Sequence, residues 1–138
     1  AVVDGQELAV FCGAFSFGLE DPGQTIAYAV ANIGTDPSEV EDAMVAEIDR
    51  VKADGISAAE LDKLKNQVES GFVQSNSTMR GIAESLANYH MYFGDANLIN
   101  NEIDRYMAVT AEDIQKAAND YYSHDRRVVL YFMNENAQ

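Results

Sequence analysis

Cysteine is all but missing. Cys12 is the only one in 138 residues, so no disulfide can close within the chain and no thiolate cluster can hold a metal. It falls in the apolar stretch 8–17, where the expected role is that of a small buried hydrophobe. A reactive thiol would want a base beside it and some exposure. Histidine is nearly as scarce, with only His90 and His124, and neither His-x-x-Glu-His nor His-Glu-x-x-His occurs. The helix-borne zinc motifs are therefore absent. Lys and Arg are missing from residues 1–49, which carry ten acids, while the remainder has thirteen acids against nine bases, giving −14. That field repels phosphate backbones, which excludes nucleic acid as a partner and leaves basic peptides as the sharper alternative to a merely acidic surface. No apolar run approaches the ~20 residues that span a bilayer. The opening residues do not resemble a secretory leader, and Ala1-Val2-Val3 reads as chain interior. Gly34-Thr35-Asp36-Pro37 lacks the glycines and the lysine of a phosphate loop.

What is present is helical periodicity. Residues 57–95 contain no proline, and the rest of the chain is organised around them. Leu61, Leu64, Val68 and Phe72 mark one apolar stripe, and Ile82, Leu86, Tyr89 and Phe93 a second. Ser57 stands three residues before Glu60, the spacing of a capping box, and the polar run 74–78 can cap a new helix. Two consecutive helices are expected, the second closed by Gly94-Asp95.

Residues 6–18 are apolar on both alternations, which predicts a strand buried on two sides or an edge packed against a partner. Residues 19–23 form a turn containing Pro22 and Gly23, and residues 24–33 return as a second strand of a hairpin. One face of that strand is narrow, with Ala27, Ala29 and Ala31, as if a helix backbone lay close against it. Asp36 caps the next helix, with Pro37 at its first position, Glu39 three after the cap, a buried stripe of Val40, Met44, Ile48 and Val51, and Gly55 as the stop. A helix is expected over 97–107, facing Ile99, Ile103 and Tyr106 inward. Thr110 recaps the chain, with Val109 stapling Ile114 ahead of Ala118 and Tyr121, and 126–133 closes as a strand. Strand, strand, five helices and strand predict an α+β fold, an antiparallel or mixed sheet with helices layered on one face. Three strands are few for five helices, so another segment or a second copy is expected at a sheet edge, making a homodimer through that edge an expectation. The length predicts one domain, 1–138, burying roughly 68–70% of its unfolded surface in a core that needs no staples.

Each residue type that carries chemistry has a plain structural role beside it. His90, late in a helix, suits the negative end of the helix dipole. His124 is placed in a connecting loop, and the neighbouring Ser123 and Asp125 make triad residue types whose side chains, adjacent in sequence, seldom converge. Glu112 and Asp113 belong to a helix N-terminal turn. Tyr121 and Tyr122 read as packing area. By residue type alone the chain holds no self-sufficient catalytic or metal site.

The order of its motifs is more specific than any one of them. Gly34-Thr35-Asp36-Pro37 before a helix, the run 59–67, Ser77-Thr78 with Gly81, Ala83 and Leu86, Gly94-Asp95, residues 109–114, Ala117-Ala118 and Tyr121 together resemble the pitrilysin/insulinase-type zinc peptidases, the group that includes mitochondrial processing peptidase and its bacterial relatives. The resemblance covers roughly residues 24–133 and implies paired α/β halves closing around an unfolded peptide, with zinc held by only one half. Lacking the zinc motif, this chain resembles the later part of a half-domain, in the non-catalytic C-terminal half. Zinc would then belong to the parent protein or a partner subunit bearing the catalytic half, and the other partner would be peptide substrate. The family places an Arg and a Tyr of that half against substrate. The Arg would precede Ala1, and Glu7-Leu8-Ala9 stands where a glycine–tyrosine pair is expected, so no catalytic residue is carried over. The alternatives are an assembly subunit of the same fold that has lost catalysis, as in core proteins of respiratory complexes, and an acidic binding module.

Overall fold

A computed structural model describes residues 2–3, 5–18 and 23–133. The chain folds as two compact units, Ala1–Asp54 with Ala117–Gln138, and Gly55–Lys116.

In the first unit, β1 (Ala9–Phe17) and β2 (Gln24–Ala31) form an antiparallel pair, as the alternating pattern predicts. Of the turn expected at 19–23, residues 19–22 lie outside the described residues. The register sets Phe11 against Val30, Gly13 against Tyr28 and Phe15 against Ile26, with an irregularity between Ala9 and Phe11. Cys12, Ala14, Ala27 and Ala29 therefore share the opposite face. The expectation of a close helix holds on that face. Ala29, Ala31 and Ala9 pack with Val2 and Val40, and Ala43 and Met44 complete the cluster from α1 (Pro37–Asp54). Only small side chains let a helix approach a two-stranded ribbon this closely. α1 starts where Asp36 Oδ1 accepts from the Ser38 amide at 2.9 Å and the Ser38 hydroxyl at 2.8 Å, so the Asp36 cap is met by Ser38 and not by Glu39. Gly55 then stops the helix with a left-handed φ of 73° that a Cβ would strain.

In the second unit, α2 (Ala58–Ser75) begins with the predicted capping box. The Glu60 amide donates to Ser57 Oγ, and Glu60 Oε2 accepts from the Ser57 amide at 2.8 Å. α3 (Met79–Phe93) is capped by Thr78, whose Oγ1 accepts from Gly81, and closes at Gly94 with φ 74°. A 3₁₀ turn (Ala96–Asn100), α4 (Glu102–Met107) and α5 (Ala111–Tyr121) follow, α5 running on into the first unit. Lys65 Nζ donates to the Met107 carbonyl at 2.7 Å and ties α2 to the end of α4. At α5, Thr110 Oγ1 accepts from the Asp113 amide and Asp113 Oδ2 accepts from the Thr110 amide, a second reciprocal cap.

Four expectations are corrected. The single helix over 97–107 is two pieces, because Asp95 Oδ1 accepts from the Asn97 amide and Asn100 Nδ2 donates to Asn97 Oδ1, local bonds that compete with helix propagation. The closing strand over 126–133 does not join the sheet, which among the described residues has two strands; His124–Arg126 is a 3₁₀ turn and 127–133 runs on without ladder pairing. Cys12 is exposed rather than buried. The sizeable core is not found among the described residues either: their buried apolar side chains are Val2, Ala9, Val40 and Ala118, no large one among them is fully buried, and Leu64, Val68, Ile82 and Leu86 keep over a third of their surface. The stripes are where periodicity puts them, but the mass that would cover them is not among the described residues.

Candidate functional site

Alternation in β1 and β2 sends Phe11, Phe15, Phe17, Tyr28 and Val30 to the ribbon face away from the small residues. There they are 53%, 49%, 51%, 42% and 55% exposed. The Tyr28 ring centroid stands 5.7 Å from that of Phe11 and 6.2 Å from that of Phe15, in tilted and edge-on arrangements. It lies across Gly13, where an added Cβ would come within 2.8 Å of the Tyr28 hydroxyl. Glycine at this position lets the three rings form one surface. Chemically, this is an apolar, aromatic platform beside strand edges that carry no further ladder bonds among the described residues. Such a platform can take an extended peptide through main-chain hydrogen bonds and side-chain contact.

The second feature is the attachment of the 119–131 stretch to α1. Asn119 Nδ2 donates to the Lys52 carbonyl at 3.1 Å, and His124 Nε2 stands 3.6 Å from Asp49 Oδ2. Arg127 Nη2 pairs with Glu41 Oε1 at 2.8 Å, and the Tyr131 hydroxyl donates to the other oxygen of Glu41. That bond to Glu41 pushes the Tyr131 phenol above its ordinary pKa, because ionisation would set two negative charges together. Sequence reading missed this Glu41–Arg127–Tyr131 clamp. Its only signal was an acid early in one helix and an Arg and a Tyr four apart in the last segment.

The residues singled out earlier do not converge. His124 meets Asp49 of α1 rather than Ser123 and Asp125, and His90 lies exposed on the last turn of α3, in the other unit. Asp113 caps α5, and its carboxyl is held below its ordinary pKa by the Thr110 amide and then the Thr110 hydroxyl. Tyr121 is 72% exposed, and Tyr122 donates to Thr25 Oγ1 at 3.4 Å. Glu7 adopts a left-handed φ of 53°, its carbonyl accepting from Asn32 Nδ2. The backbone there holds the conformation a glycine would take, although the residue is not one. Zinc sites need three or four converging nitrogen, sulfur or carboxylate ligands, and among the described residues no three His, Cys, Asp or Glu side chains are so grouped. No helix is long and apolar enough to cross a membrane among the described residues.

No family profile matches the chain. Over 130 residues it is 22% identical to the zinc protease PqqE of Helicobacter pylori, covering 94% of this chain and 29% of that protein. A solved protease structure from Helicobacter pylori matches with a TM-score of 0.76 at 21% identity, over 88% of this chain and 29% of the other. A structure described as the inactive peptidase domain of an inferred zinc protease from Bordetella parapertussis matches with the same TM-score, 0.76, and identity, 21%, over 89% of this chain and 65% of that one. An inferred zinc protease from Bordetella pertussis Tohama I does so at 0.76 and 21%, over 89% and 68%. The chain thus spans 29% of the length of the Helicobacter protein it matches. Its α+β fold is that of zinc protease domains, and the resemblance read from the motif order is borne out in sequence and in fold.

Proposed function

We propose that this chain, which has the fold of zinc protease domains, acts as the non-catalytic portion of a zinc metallopeptidase, forming part of a chamber wall and binding extended peptide. The observation that carries the reading is the match, over 89% of the chain, to a domain described as an inactive peptidase domain. The donor set supports it, since the described side chains do not converge on a metal. The exposed Phe11–Tyr28–Phe15 platform supplies the peptide-binding surface. Zinc and the hydrolytic step belong, on this reading, to a catalytic portion of the same protein or of a partner subunit.

The test uses the purified chain. It hydrolyses no unfolded peptide with or without added zinc, yet it binds a fluorescent extended peptide, and Tyr28→Ala weakens that binding about fivefold to tenfold through loss of aromatic contact. Stoichiometric zinc binding with peptide cleavage would overturn the proposal, and so would binding indifferent to Tyr28.

A further inference from the structure

We draw no further inference here: the strongest candidate, the exposed aromatic face of the β1–β2 ribbon around Tyr28, belongs to the site already described, and nothing in the structure shows what covers it.

Discussion

A methyl group added at Gly81 would lie 1.8 Å from the Ser75 carbonyl oxygen and 3.0 Å from its carbon. Both are backbone atoms at the end of α2, so they cannot swing aside as a side chain would. Gly81→Ala should therefore force the α2–α3 corner apart and cost about 3 kcal/mol, read as a loss in chemical denaturation. The same change at Gly13 meets only the movable ring of Tyr28 and should cost less. Tyr131 yields a prediction in pH. Its phenol is raised above its ordinary pKa, chiefly by the bond to Glu41, so the contact is intact below the ordinary tyrosine range and is lost as pH rises through the folded-state value. Tyrosinate absorbance should show a late component, shared with Tyr89, whose raised pKa comes first from burial. Tyr131→Phe should remove part of that component and speed amide exchange at 127–133. The Tyr131 effect is not visible in sequence, because its partner Glu41 lies 90 residues away.

At the scale of elements the chain is legible where chemistry is local. Ser57 with Glu60, Thr78 with Gly81, Thr110 with Asp113, and the left-handed closures at Gly55 and Gly94 all act within a few residues. Ser57→Ala removes a cap and should cost about 1 kcal/mol in thermal or denaturant unfolding. Asp36 and Asp113 have lowered carboxyl pKa values, for which amide bonds from Ser38 and Thr110 are the first causes. Lowered values mean that the folded chain favours the charged form. Their contribution is thus complete above the ordinary carboxylate range and disappears as pH falls below about 4. Far-ultraviolet circular dichroism should show the starts of α1 and α5 fraying there, and carboxyl resonances should place both midpoints below the ordinary aspartate value. Locality also explains the error over 97–107, where Asp95, Asn97 and Asn100 make short-range bonds that apolar spacing does not register.

At the scale of the whole molecule, little apolar surface of the described residues is removed from water. Val10, Phe11, Met79, Met91, Phe93, Val128, Leu130 and Phe132 are all more than half exposed. Heat capacity of unfolding follows apolar burial, and an ordinary chain of 138 residues would give about 1.7–2.1 kcal/mol/K. This chain should fall clearly below that range in calorimetry and should bind an apolar dye while folded. An ordinary value with no dye binding would show that these side chains are covered in solution.

The amino-acid order determined most of the elements, their caps, the two faces of the ribbon and the α+β class, because each follows from contacts a few residues apart or from the two-residue period of a strand. The motif order also carried the likeness to zinc protease domains, which the fold bears out. Tertiary structure alone decided that Cys12 is exposed, that Glu41 receives Arg127 and Tyr131, and that 127–133 stands beside the helix without a strand partner among the described residues. A strand's pattern states which side chains want burial. Only the neighbours brought to it by the fold settle whether that burial and the ladder bonds are obtained.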